Sequence, residues 1–128
     1  MIIDHLDHLV LTVQDIDKTC EFYSHVLGMT VITFGPDRKA LQFKNQKINL
    51  HQKGKEFEPK ADHPTPGSAD LCFISDTPVK EVLEELHSKN IPVVEGIVER
   101  TGAVGKILSV YLRDPDNNLI EISNYQDI

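Results

Sequence analysis

The sequence predicts an α+β fold made of two tandem βαβββ modules. Three observations predict it. The order strand, helix, three strands runs once through residues 1–53 and again through 68–125. A stretch without periodicity, 54–67, lies between the two. The strands also correspond in position, DHLVLTV with ADLCFIS and KINL with LIEI.

The first module opens on LDHLVLTV (6–13), where His8, Val10 and Thr12 share one face and Leu9, Leu11 and Val13 the other. Asp15 is placed to cap a helix in which Ile16, Thr19, Cys20, Tyr23, Val26 and Leu27 recur at helical spacing. Gly28 is its stop signal. TVITFG (30–35), KALQFK (39–44) and KINLHQ (47–52) read as strands, separated by turns at Pro36–Asp37 and Asn45–Gln46. KGKEFEPKADHPTPG (53–67) holds three prolines and no periodicity, which suggests a lid, or an arm that reaches a second subunit.

The second module repeats the pattern. SADLCFIS (68–75) is a strand, and Pro78 suits the first turn of a helix. VKEVLEELHSK (79–89) is amphipathic, with Val79, Val82, Leu83 and Leu86 on one face, and Asn90 ends it. VVEGIVER (93–100), the glycine loop TGAVG, KILSVYLR (106–113), the tight turn DPDNN and NLIEIS (118–123) complete it.

A chain of 128 residues suits one domain with a real core. No apolar run reaches 18 residues, and MIIDHLDHLV places acids where a signal peptide needs basic residues, so a cytoplasmic protein is expected. The net charge of −7 repels phosphate backbones and anionic membranes, which makes nucleic acid and membrane unexpected partners. Cys20 and Cys72 lack any zinc-type spacing and read as reduced, largely buried thiols.

The repeat pairs His8 with Asp70 and Asn49 with Glu121. Taken singly, each is more often a solvated strand residue or a satisfied core side chain than a ligand. Taken together, the four lie on equivalent faces, and acidic side chains are seldom buried unless paired or bound to a cation. Two carboxylates, an imidazole and an amide suit a divalent ion. His51 shares the face of Asn49 and is a secondary donor. Arg38 and Arg100 are candidates to clamp a substrate carboxylate or phosphate, with a surface ion pair the competing reading. His5, three residues from His8, falls on the opposite face if the strand includes it. Cys72 shares the face of Asp70 and reads as a small buried residue, with a neighbour of the candidate ligands as the sharper alternative.

The whole chain resembles the vicinal oxygen chelate superfamily of glyoxalase I, bleomycin- and fosfomycin-resistance proteins, methylmalonyl-CoA epimerase and extradiol dioxygenases. Within it, the chain looks most similar to small glyoxalase-domain proteins, including bacterial ones described as virulence-associated or lactoylglutathione lyase-like. The residues that carry the resemblance are DHLVLTVQDI…FYSHVLGM, RKALQF…KINLH, PKADHPTPGSADLCFIS and RTGAVGKILSVYLRDPDNNLIEISNY.

The resemblance implies a single glyoxalase-like domain whose modules form a curved, partly open barrel-like sheet. It implies a divalent metal (Ni, Co, Mn, Zn or Fe) held by His8, Asn49, Asp70 and Glu121. Asn49 and Asp70 depart from the longer ligands usual in glyoxalase I. It implies a small vicinal-oxygen substrate, deprotonated by Glu121, with Asp70 as second choice, through a metal-stabilised enediolate. It also implies a homodimer with sites shared between subunits. The alternatives are a metal-free binding or sequestering protein of the drug-resistance type, or a dioxygenase of the same superfamily.

Overall fold

The computed structural model describes residues 1–126. The chain divides into two compact units, residues 1–68 and the chain from Ala69 onward. In the first unit the elements are β1 (His8–Val13), α1 (Ile16–His25), β2 (Thr30–Phe34), β3 (Arg38–Phe43) and β4 (Gln46–Gln52). In the second they are β5 (Asp70–Ile74), α2 (Val79–Ser88), β6 (Glu95–Thr101), β7 (Lys106–Arg113) and β8 (Leu119–Tyr125). The expected βαβββ order holds in both.

The two sheets have the same topology. Their strand orders are β1-β4-β3-β2 and β5-β8-β7-β6, each with one parallel pair at an edge and antiparallel pairing across the rest. The registers also agree. Val10 lies opposite Asn49 and Cys72 opposite Glu121, while Ala40 lies opposite Asn49 and Tyr111 opposite Glu121. The alignment read from the repeat is therefore an alignment of backbone positions.

In each unit the helix covers the apolar face of its own sheet. In the first, Leu11, Val13, Leu41, Ile48 and Leu50 are buried, and Tyr23 of α1 is fully enclosed. In the second, Val110, Leu112, Ile120 and Ile122 are buried, with Val82 and Leu86 of α2. Burying a side chain of this size contributes about 1.5–3 kcal/mol.

The helix starts show a device the sequence reading did not identify. Asp15 caps α1 as expected, accepting from Lys18 N at 3.1 Å. Helix α2 has Pro78 at its cap position and no side-chain cap of its own. Its Val79 N–H instead donates to Asn124 Oδ1 at 2.7 Å, and Asn124 Nδ2 donates to the Ser75 and Thr77 carbonyls, both at 3.0 Å. Gln52, the equivalent residue of β4, does the same for α1. Its Oε1 accepts from Ile16 N and its Nε2 donates to the Gln14 carbonyl. An amide on the last strand of each module thus pins the strand-to-helix turn.

The DPDNN segment is more than the tight turn expected. Asp114 and Asn118 are buried. Asp114 Oδ1 accepts from the backbone of Asp116 and Asn118, and Asn118 Nδ2 donates to Asp114 Oδ2. Asn118 Oδ1 accepts from Ala69 N at 2.8 Å, so the turn sets the entry into β5. His5 precedes β1 instead of lying on it, so the facing argument made for it does not apply.

Candidate functional site

Alternation along β5, β7 and β8 puts Asp70, Cys72, Ser109, Tyr111, Glu121 and Ser123 on the sheet face opposite α2. That face carries a cleft of about 500 Å³. Cys72, Arg100, Ile107, Tyr111, Glu121 and Tyr125 line it, together with the glycine loop. Register explains the set. Glu121 lies between Cys72 on one neighbouring strand and Tyr111 on the other, and Ile107 lies between Arg100 and Tyr125.

Glu121 is half-buried and held by hydroxyls. Ser109 Oγ donates to its Oε2 at 2.6 Å. Ser123 Oγ lies 2.7 Å from Ser109 Oγ and 3.4 Å from the same carboxylate oxygen. Both serines are fully buried. The Tyr111 hydroxyl accepts from Arg100 Nε at 3.2 Å, and Tyr111 lies opposite Glu121 in register. Burial raises the Tyr111 pKa; Glu121 adds to the rise and Arg100 opposes it. Guanidinium, phenol and carboxylate therefore line one cleft, the first two joined by a hydrogen bond.

Cys72 departs from expectation. It is exposed instead of buried, because its strand face looks into the cleft. Its Sγ lies 3.4 Å from Ser123 Oγ, and partial burial raises its pKa, so the thiol form is favoured. Cys20 is partly buried and free.

The equivalent face of the first unit is filled. Asn49 and His51 are buried. Arg38 Nη2 donates to His51 Nε2 at 3.4 Å, and the Arg38 guanidinium stacks on Phe34 and Phe57 at 4.9 and 4.5 Å. Phe57 comes from the stretch after β4 and meets the His51 ring edge-on at 5.6 Å. Burial lowers the His51 pKa first, and the Arg38 charge adds to this, so the ring is neutral at pH 7 and accepts. The Arg38 Nε and Asn49 Oδ1 atoms are buried without hydrogen-bond partners.

The expected ligand positions fall in two pairs. His8 and Asn49 share a face of the first sheet, and Asp70 and Glu121 share a face of the second. His8 is exposed and bonds Asp7 through Nδ1 at 2.8 Å. Asp70 is also exposed. Among the described residues no three His, Cys, Asp or Glu side chains gather into a metal-holding group. The donor types nonetheless suit a divalent ion, and the orphaned Asn49 Oδ1 is an acceptor that lacks a donor or cation. Each pair therefore offers two candidate donors for such an ion. Ser109, Ser123 and Tyr111 were missed in the sequence reading. The available signal was a serine within the alternating strand KILSVYLR, at the parity that faces IEIS.

Comparison with known proteins agrees with this architecture. Residues 5–122 match the family model described as Glyoxalase/Bleomycin resistance protein/Dioxygenase superfamily. The chain is 63% identical over 125 residues to Virulence protein STM3117 of Salmonella typhimurium, covering 98% of this chain and 87% of that protein. The crystal structure of that protein superposes with a TM-score of 0.97, over 98% of this chain and 100% of that one. The chain is also 63% identical over 122 residues to Glyoxalase domain-containing protein RDO1 of Mycosarcoma maydis, covering 95% and 69% of the two. A lactoylglutathione lyase from Agrobacterium tumefaciens shares the fold at 22% identity, with a TM-score of 0.73 over 95% and 94% of the two chains.

Proposed function

The chain belongs to the glyoxalase/bleomycin resistance/dioxygenase superfamily, and within it we propose a divalent-metal-dependent enzyme of the glyoxalase I type. It would act on a small substrate with neighbouring oxygens, by proton abstraction next to a carbonyl. The observation that carries this reading is Glu121: a carboxylate lining a cleft, oriented by Ser109, rather than a solvated strand residue.

Glu121 takes the proton from the carbon beside the carbonyl. The C–H bonding electrons become the new carbon–carbon double bond, and the carbonyl oxygen gains the negative charge. Returning the proton to the former carbonyl carbon, while the hydroxyl proton on the other oxygen passes to the former carbonyl oxygen, completes an isomerisation. The Ser109 hydroxyl fixes Glu121 Oε2, which keeps the base aimed before substrate arrives. Asp70, on the same face, is the second choice of base. Ile74 and Ile107 give the cleft apolar wall.

His8, Asn49, Asp70 and Glu121 are the residues that would hold the ion, which when bound supplies Lewis-acid stabilisation of the developing oxyanion. His51 is left out of this set because its Nε2 is engaged by Arg38. Because each unit offers two donors, we propose a homodimer in which His8 and Asn49 of one chain face Asp70 and Glu121 of another.

Elemental analysis of the purified protein tests this, with wild type beside His8→Ala and Glu121→Ala. The reading expects a transition metal near one per chain, lost in both variants. A wild-type protein that stays metal-free after reconstitution with Ni, Co, Mn, Zn and Fe would overturn it.

A further inference from the structure

We propose that Arg100 and Tyr111 form a carboxylate-recognition subsite, so that the substrate of the second-unit cleft is a small carboxylic acid. The inference rests on the reading of Glu121 as the base and adds the class of molecule presented to it.

Arg100 is on β6, and the register places it beside Ile107, at the edge of the cleft. Its guanidinium carbon lies over the Tyr111 ring, 5.5 Å from the centroid. Three contacts hold it: Nε to Tyr111 Oη at 3.2 Å, Nη1 to the Glu99 carbonyl at 2.9 Å, and Nη2 to Glu95 Oε2 at 3.3 Å. A guanidinium has five N–H donors, so these leave two for a ligand. The hydrogen bond to Tyr111 keeps the group firmly cationic. A fixed planar cation with spare donors suits a planar carboxylate better than a neutral carbonyl.

The ion pair with Glu95 does not cancel the site. Arg100 and Glu95 side chains are 41% and 54% exposed, and exposed pairs of this kind are weak. A carboxylate entering from the cleft can replace Glu95 as partner, and Glu95 then acts as a competitor.

Spacing limits the size of the ligand. Tyr111 lies opposite Glu121 in register and its hydroxyl accepts from Arg100 Nε, so guanidinium and carboxylate neighbour the same side chain in one cleft. A short acid whose carboxylate meets Arg100 can thus present its neighbouring carbon toward Glu121. The glycine loop packs tightly beside the cleft: a Cβ at Gly102 would stand 2.9 Å from Tyr125 Oη and 3.0 Å from Ile107 Cγ2. These constraints favour short 2-hydroxy or 2-oxo acids.

The test is an NMR titration of the full-length protein with lactate, its neutral isostere lactamide, and inorganic phosphate. It is run on wild type, Arg100→Gln and Glu95→Gln, and it requires neither turnover nor added metal. We expect lactate to shift resonances of Tyr111 and the glycine loop. Lactamide should bind at least about tenfold more weakly, as should lactate to Arg100→Gln, and Glu95→Gln should bind lactate more tightly. Equal binding of lactate and lactamide overturns the subsite, as does undiminished binding to Arg100→Gln or no binding of lactate to wild type. Tighter binding of phosphate than of lactate overturns the carboxylate assignment. Loss of the subsite with Glu121-dependent turnover of neutral substrates intact would leave the proposed function standing. Intact binding without turnover would do the reverse.

Discussion

The two modules share strand order, register and the amide that pins each helix, yet they differ in what they place on the sheet face away from the helix. Beside Asn49 the first module sets Arg38 against His51, with Phe34 and Phe57 stacked on the guanidinium. Beside Glu121 the second sets Ser109 against Ser123, 2.7 Å apart. Two large side chains fill the first face, and two hydroxyls leave room on the second. A repeated backbone thus specifies a scaffold twice, and side-chain volume at one cross-strand pair sets what surrounds the central residue of each copy.

The largest expected effect tests the chemical half of that contrast. Glu121→Gln preserves shape and removes the base, and turnover should fall about 10³-fold, within the range usual for a lost general base. Circular dichroism and melting should be near those of wild type. Retained turnover would break the assignment of chemistry to the second module.

The helix-pinning amides offer a comparison in stability. Asn124→Ala leaves α2 without any side-chain acceptor at its start and frees two turn carbonyls, so it should cost about 2 kcal/mol. Gln52→Ala should cost about 1 kcal/mol, because Asp15 still caps α1. Urea unfolding of both variants checks the order, and a larger loss from Gln52→Ala would contradict it.

Smaller effects are expected where the first face is filled. Phe57→Ala removes one of the two rings stacked on Arg38, and should cost about 0.5–1 kcal/mol by the same measurement. The last effect is a slope. The His51 pKa is depressed in the fold, so the unfolded chain binds that proton more readily. The stability this neutral ring contributes is full above the unfolded value of about 6.5, and is lost as pH falls through that value toward the lower folded one. His51→Gln should flatten the decline measured by unfolding between neutral and mildly acidic pH. Ser123, the equivalent residue, brings no such titration to the second module.

Much of the architecture was legible because hydrophobic alternation and helical spacing are dictated by burial, which acts residue by residue. The repeat made the legible part larger: it paired His8 with Asp70 and Asn49 with Glu121 before any coordinates, and the registers repeat that pairing. Cross-strand company was not legible. Ser109 and Tyr111 matter because β7 lies against β8 at one register, a long-range fact that no local pattern carries. Cys72 was misjudged for the same reason. Cysteine is usually buried, but this strand face meets a cleft. The DPDNN segment read as a turn, yet the burial of Asp114 and Asn118 depends on the β5 entry, 49 residues from Asn118 in sequence.

The claim that Glu121 acts as a base on a carbon acid is tested most directly by deuterium exchange. Pyruvate, and the hemithioacetal of methylglyoxal and glutathione, would be incubated in D₂O with protein supplied with each candidate metal, and incorporation followed by NMR. The account predicts that wild type catalyses incorporation at the carbon beside the carbonyl and that Glu121→Gln gives the buffer rate. Equal rates for the two proteins, or wild-type rates no faster than buffer with every metal, would contradict it.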